Sequence, residues 1–266
     1  MHMSNNTILI TGGTSGIGFE LASALSKLGN TVIITGRDSS KLDEARTKLP
    51  GVHAIQSDAS DPAAITSLRE KVTAEFPELN MVINNAGIMR KLDLNDSNRD
   101  LLDLTREIEI NLMGPMRVVK EFLPHLRSRP AAALVNVSSG LAFVPFAISP
   151  VYSAAKAGIH AFTQCLRVQL KNTNIKVFEL APPGTETKLF RGDFTAEDLA
   201  GAKAMPVQTL ARLAIQGFEK DTLEIRPGLS NTLKLMSRIA PQFMLKQLAK
   251  PVDAMLARNE SAAGEA

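Results

Sequence analysis

The sequence predicts a three-layer α/β fold, a doubly wound parallel sheet of about seven strands with helices on both faces. Three observations predict it. Short β-branched or apolar runs recur near 7–11, 31–35, 52–56, 80–84, 133–138 and 175–180, with a weaker one near 222–226. Helical patterns fall between them, near 16–28, 40–48, 62–75, 99–126 and 152–171. Strands this apolar, each followed by a helix, belong to a parallel sheet covered on both faces, and such sheets bind ligands at the carboxyl ends of their strands.

Local signals set several boundaries. Asp61-Pro62 is a helix start, an N-cap acceptor followed by proline at the first helical position. Gly29-Asn30 ends the first helix and leads into the second strand. Residues 182–206, rich in Pro, Gly and Thr with scattered Phe and Leu, read as a flap over a site. Residues 231–256 read as one or two apolar helices interrupted by Pro241 and Pro251, suited to packing or subunit contact in preference to the alternative of a membrane surface. No repeat or linker divides the chain, so residues 1–257 are expected as one domain, and 258–266 as a tail without fixed structure. Met1-His2-Met3 are set outside the fold.

Composition narrows the function classes. Of 266 residues, 44% are hydrophobic and 21% charged, ordinary for a globular protein. The net charge is +3 with both signs intermixed, and the short basic clusters outline no nucleic-acid footprint. The one cysteine, Cys165, excludes an internal disulfide or a multi-thiolate metal site, and its apolar surroundings suggest a buried, inert thiol. No apolar run reaches the roughly 18 residues of a membrane span. A strand pattern begins almost at once, without signal-peptide architecture, so a cytoplasmic setting is expected.

The first strand runs into Thr11-Gly12-Gly13-Thr14-Ser15-Gly16-Ile17-Gly18 and then a helical Phe19-Glu20-Leu21-Ala22. A dinucleotide's pyrophosphate must approach backbone N–H groups at a helix N-terminus, where side chains would obstruct it. Gly12, Gly16 and Gly18 remove those side chains at a strand-to-helix turn. Glycines serve plain turns as well, but this position after the first strand favours phosphate. A P-loop is excluded because the chain has no Gly-Lys pair.

Thr-Gly-x-x-x-Gly-x-Gly resembles the cofactor turn of the short-chain dehydrogenase/reductase family, whose Rossmann-type fold would account for nearly the whole chain. Asn84-Asn85-Ala86-Gly87 after the fourth strand and Asp58 after the third match further marks in order. In that family Asp58 would receive the adenine amino group. The resemblance implies a nicotinamide cofactor held by Gly12, Thr14, Ser15, Gly16, Ile17 and Gly18, by Asp58 and Ala59, and by Asn85, Ala86 and Gly87.

The end of the second strand bears on the choice of cofactor. A carboxylate there binds the adenosine ribose hydroxyls and repels a 2′-phosphate. Here the strand ends Thr35-Gly36-Arg37, with Gly36 where NAD-preferring relatives carry the acid. Arg37 offers a fork of donors suited to phosphate, which favours NADP(H) over NAD(H). The plainer alternative is a solvated turn arginine. Asp38 weakens the case slightly unless it caps the next helix.

Val151-Tyr152-Ser153-Ala154-Ala155-Lys156 opens a helix, and positions four apart share a face. A phenol ionises at about 10, and a neighbouring ammonium is expected to draw it toward working pH for acid/base catalysis. The pattern gains weight from Ser138-Ser139-Gly140 upstream, with Ser139 thirteen residues before Tyr152, a separation typical of the family. Tyr152 is the only tyrosine, and there is no tryptophan.

The resemblance then implies a mechanism. Nicotinamide delivers hydride to a carbonyl carbon, Tyr152 protonates its oxygen, Ser139 hydrogen-bonds that oxygen, and Lys156 lowers the tyrosine pKa and holds the nicotinamide ribose. Asn111 matches the helix asparagine that positions a relay water, although a lone asparagine in a long helix is often only solvated. No metal is required. Two departures stand out: Ala142 where the family often has glycine, and Pro182-Pro183-Gly184-Thr185-Glu186-Thr187 with proline at a glycine position. Pro182, Thr185 and Thr187 are the expected cofactor contacts there. The stretch Ser138 to Phe190 is especially similar to bacterial members found with D-alanylation genes.

The four histidines form no constellation, and His160, four residues past Lys156, reads as a surface or subunit-contact residue. Neither Ser15 nor Ser139 sits in the Gly-x-Ser-x-Gly of a hydrolase. The competing reading is a non-catalytic nicotinamide-binding sensor or scaffold, which would be expected to lack the tyrosine or the lysine. Met89, Phe143, Pro145, Phe146, Phe190 and Phe194 are expected to line an apolar pocket for a small carbonyl or alcohol substrate. The resemblance also implies a homodimer or homotetramer joined through helices near 99–126 and 152–171.

Overall fold

The computed structural model describes residues 2–195, 197–199 and 203–264, the side chains of 254 and 257–264 excepted. Strands Thr7–Ile10 (β1), Thr31–Gly36 (β2), His53–Gln56 (β3), Leu79–Asn84 (β4), Ala132–Val137 (β5), Ile175–Leu180 (β6) and Glu224–Ile225 (β7) make one sheet. Its order is β3-β2-β1-β4-β5-β6-β7, every pair parallel. The helices are α1 (Gly16–Lys27), α2 (Ser39–Lys48), α3 (Pro62–Glu75), α4 (Leu101–Ile108), α5 (Gly114–Arg127), α6 (Pro150–Gln169), α7 (Lys188–Arg191), α8 (Val207–Glu219), α9 (Leu229–Ile239) and α10 (Pro241–Gly264).

Strand period divides the core into two layers. Ile8 and Ile10 of β1, Met81 and Ile83 of β4, and Ala133 and Val135 of β5 join α1, α2 and α8 on one face. Leu9, Val82 and Leu134, the residues between them, join α3, α5 and α6 on the other. The topology reverses direction beside β1, which pairs with β2 on one side and β4 on the other. That reversal opens a crevice at the carboxyl ends of the strands.

Four expectations need correction. The helix expected over 99–126 is three segments, α4, a π-helical turn Glu109–Met113, and α5. Pro115 has no N–H to donate to Asn111 and its ring crowds that carbonyl, so the α-helical ladder cannot run through. Gly114 adds a close approach, since a Cβ there would lie 2.4 Å from the Ala59 carbonyl oxygen.

Cys165 is exposed. Helix α6 buries Lys156, Ile159, Thr163 and Leu166, and Cys165, two residues after Thr163, falls on the opposite side. Met3 belongs to the core, and its carbonyl accepts from Asn30 Nδ2 at 2.9 Å. Helix α10 continues to Gly264, across most of the segment expected as a tail, on a run of helix formers; residues 265–266 lie outside the described residues. Helix α8, packed on α1, was not anticipated, although Leu210, Ala211, Ala214, Ile215 and Phe218 have helical spacing.

Candidate active site

A cavity of about 420 Å³ lies in the crevice and runs from the β1–α1 turn to the N-terminal part of α6. At one end the chain leaves β1 with Gly12 at φ +66 and Gly16 at φ +55, conformations that favour glycine. The turn is packed as well as bent. A Cβ on Gly12 would lie 2.7 Å from Ala86 Cα, and one on Gly18 would lie 2.4 Å from both Asn85 Nδ2 and the Gly12 carbonyl oxygen. Asn85 in turn donates to the Thr11 and Gly12 carbonyls at 3.0 Å each, tying the end of β4 to the turn. Gly18 therefore braces the site from behind and does not line the cavity. Gly18→Ala is expected to destabilise the fold by about 1–3 kcal/mol through overpacking. Urea unfolding measures this, and an unchanged midpoint would mean that the contact relaxes freely.

Thr14, Ser15, Gly16, Ile17, Arg37, Asp58, Ala59, Ala86 and Gly87 all border the cavity. Asp38 is turned away from it, capping α2 by accepting from Lys41 N–H (3.2 Å) and pairing with Lys41 Nζ (3.5 Å). Arg37 thus keeps its guanidinium without an ion pair among the described residues, while its carbonyl accepts from Gln56. Burial raises the Asp58 carboxyl, but the Ser60 hydroxyl (2.7 Å) and N–H (2.8 Å), with Arg37 and Arg106, outweigh it and hold the group below the usual range. Both Ser60 bonds fall on Oδ1, and no hydrogen bond reaches Oδ2 among the described residues.

Ser139, Tyr152 and Lys156 converge at the far end. Ser139 caps a 3₁₀ turn, Gly140–Ala142, by accepting from Leu141 N–H at 3.1 Å, and like Tyr152 it borders the cavity. Tyr152 and Lys156 lie one turn apart on α6, both almost wholly buried, and the ammonium Nζ sits 5.6 Å from the phenol ring centroid. Lys156 donates to the Val137 carbonyl at 2.9 Å.

Burial sets the electrostatics. It pushes the Tyr152 phenol up to about 12, the polar Ser139 hydroxyl pulling down and the Glu107 charge pushing up. The same burial pushes the Lys156 ammonium down to about 8. The expected lowering of the phenol by Lys156 does not arise from the protein alone. The ammonium is directed at a backbone carbonyl, and an apolar surround opposes both charges.

Asn111 does not reach the cavity. It is buried within the π-helical turn, its Nδ2 donating to the Ile88 carbonyl (2.8 Å) and its Oδ1 accepting from Ile88 N–H (2.9 Å). It is therefore not the solvated helix residue that was the plainer alternative. Glu107, one turn earlier, accepts from Arg90 N–H at 2.9 Å, and burial raises its carboxyl. Together they pin both sides of Met89, which lines the cavity. His160 is turned inward: its Nδ1 lies 2.8 Å from the buried Glu179, which also accepts from Ser138 at 2.5 Å.

The flap sequence finds its register through Pro182, whose carbonyl accepts from Gly140 N–H at 2.8 Å. Thr185 donates to the Pro183 carbonyl (2.8 Å) and bridges to Met205, while Thr187 caps α7. All three border the cavity, although Glu197–Leu199 and Lys203 are the only parts described between Thr195 and Ala204. Of the expected pocket residues, Met89, Phe146 and Phe190 line it. Phe143 instead stacks edge-on against His160, Phe194 packs behind Phe146, and Pro145 is exposed. Leu141, Leu189, Leu199, Leu229, Leu233 and Leu248 complete the wall. Leu229 and Leu233, four apart on α9, carried a helical signal that nothing local connected to the site.

A family model for short chain dehydrogenases matches residues 6–198. The chain belongs to the short-chain dehydrogenase family. Within that family it is 47% identical to the uncharacterized oxidoreductase DltE of Bacillus subtilis over 189 residues, 71% of this chain and 75% of DltE. The similarity to D-alanylation-associated members expected from Ser138 to Phe190 is thereby met. It is 31% identical to mouse dehydrogenase/reductase SDR family member 7B, spanning 74% of this chain and 62% of that protein. A Burkholderia cenocepacia short chain dehydrogenase in complex with NADP has the same fold, with a TM-score of 0.80, 21% identity, and coverage of 93% of this chain and 99% of that one. A Burkholderia phymatum enzyme in complex with NAD gives a TM-score of 0.78 at 21% identity, covering 90% and 95%.

Proposed function

We propose that this oxidoreductase reduces a small, apolar carbonyl compound with NADPH, Tyr152 donating the proton. The observation that carries the reading is the convergence of Ser139, Tyr152 and Lys156 at the end of a cavity that begins at the glycine turn. Gly12 and Gly16, at positive φ and bordering the cavity where α1 begins, leave its N-terminal N–H groups open to a pyrophosphate. The bound nicotinamide would supply the hydride. Ser139 orients the carbonyl oxygen, and a phenol held up near 12 stays protonated at neutral pH and ready to act as the acid. Lys156 and Pro182, Thr185 and Thr187 would hold the nicotinamide half, Asp58 the adenine.

Carbonyl-dependent oxidation of NADPH across a panel of apolar aldehydes and ketones tests the reaction. Tight NADPH binding without turnover of any of them would leave a cofactor sensor. Arg37, which borders the cavity and makes no ion pair among the described residues, supports NADP(H). Arg37→Ala is expected to raise the KM for NADPH by about 10- to 100-fold, the worth of a charged phosphate contact, and to leave that for NADH nearly unchanged. Equal losses with both cofactors would remove the phosphate role.

A further inference from the structure

Helices α9 and α10 leave an apolar surface uncovered beside the cavity. Leu229, Leu235, Ile239, Phe243 and Leu245 are exposed, Ile239 by 68% and Phe243 by 56%. Leu229 is both half-exposed and part of the cavity wall, so the pocket opens onto this surface. Helix α10 divides by its period: Leu248, Val252 and Met255 face the protein, while Phe243, Lys246 and Lys250 lie on the opposite, exposed side. Apolar surface concentrated in this way marks an interaction site.

Charge identifies the occupant. Between Glu224 and Asp253 the chain has five cations, Arg226, Lys234, Arg238, Lys246 and Lys250, and no acidic residue. Arg226 and Lys234 are paired with Glu224. Arg238, Lys246 and Lys250 are exposed and have no acidic partner among the described residues. A second copy of this chain docking symmetrically would set these cations against themselves. An anionic lipid surface accepts both the cations and the exposed leucine, isoleucine and phenylalanine side chains. No helix among the described residues is long and apolar enough to cross a membrane, so the contact would be peripheral.

We propose that the α9–α10 face docks on an anionic bilayer and delivers the apolar chain of the substrate from it to the cavity. The docking stands by itself; the delivery rests on the carbonyl-reductase reading. Cosedimentation with vesicles of phosphatidylglycerol or of phosphatidylcholine alone tests the docking without any turnover. The wild type is expected to partition onto the anionic vesicles at least about tenfold more strongly, and the preference to shrink in high salt. Ile239→Asp with Phe243→Asp, and separately Lys246→Glu with Lys250→Glu, should each reduce that partition by about tenfold or more with the circular dichroism unchanged. Having two surface variants guards against one that misfolds.

No partition, or equal partition onto both lipids, overturns the proposal. So does a change of sedimentation-velocity mass in the variants without vesicle binding in the wild type, because the face is then a subunit contact. Delivery is read from a long-chain aldehyde presented in the anionic vesicles, whose reduction should fall in both variants while that of a short soluble aldehyde is unchanged. Equal effects on the two aldehydes overturn delivery. Vesicle binding by a protein that turns over no carbonyl would leave docking intact and remove the enzyme reading alone.

Discussion

Tyr152→Phe lowers kcat for carbonyl reduction by about 10²- to 10⁴-fold, the usual contribution of a positioned general acid, and leaves the KM for NADPH close to wild type. Phenylalanine keeps the ring that packs with Phe146 and Ile148 and removes only the phenol oxygen. A variant with wild-type turnover would sink the assignment of the proton to this residue. The phenol can also be watched directly. As the only tyrosine in a chain without tryptophan, Tyr152 makes the phenolate absorbance specific to one site.

In the cofactor-free protein that absorbance is expected to be nearly absent at pH 10 and to rise only as the fold is lost. The sign follows from linkage. The folded pKa of about 12 lies above the reference of 10.0, so the group's contribution to stability is complete below 10 and is lost as pH climbs to 12. For the same reason the oxidative direction, which needs phenolate, should accelerate about tenfold per pH unit through neutrality if the phenol keeps this value. A phenolate midpoint below 10 with native circular dichroism would show that the burial argument fails.

Lys156→Met is expected to stabilise the protein at neutral pH while reducing turnover by at least about 100-fold. The ammonium is buried with one backbone carbonyl for company, and its fall from 10.5 to about 8 corresponds to about 3 kcal/mol of unfavourable burial. Losing the hydrogen bond to Val137 returns about 1 kcal/mol, so the variant should gain about 2 kcal/mol at pH 7. Here the folded pKa is depressed for a base. The unfolded chain binds the extra proton between about 8 and 10.5, and wild-type stability rises with pH in that window relative to the variant. Urea midpoints for the two proteins at pH 7 and pH 9.5 check this. A variant less stable at pH 7 would mean that the lysine is better satisfied than a single contact at 2.9 Å suggests.

The opposite requirements on these two residues illustrate how the site is built. Stability would favour an apolar residue at 156 and an ordinary aromatic at 152. The chain instead holds a phenol and an ammonium one helical turn apart in a dry pocket, where a bound charge or a developing oxyanion is felt strongly. Glu107 joins this balance from α4, and its raised carboxyl and effect on Tyr152 make it part of the same electrostatic unit.

What could be read from the residues alone was whatever a few neighbouring positions decide. Alternating apolar runs, the glycine turn after β1, the proline start of α3 and the four-residue spacing of Tyr152 and Lys156 act over one strand or one helical turn, and the seven-stranded sheet and the convergence of the glycine turn with Ser139, Tyr152 and Lys156 followed from them. Other features needed the assembled tertiary structure. The burial of Asn111 against Ile88 and the cavity walls from α9 and α10 depend on what packs where. So do the shifted ionisations of Tyr152 and Lys156, because the desolvation that moves them comes from side chains far away in the chain, and spacing along a helix carries no record of it.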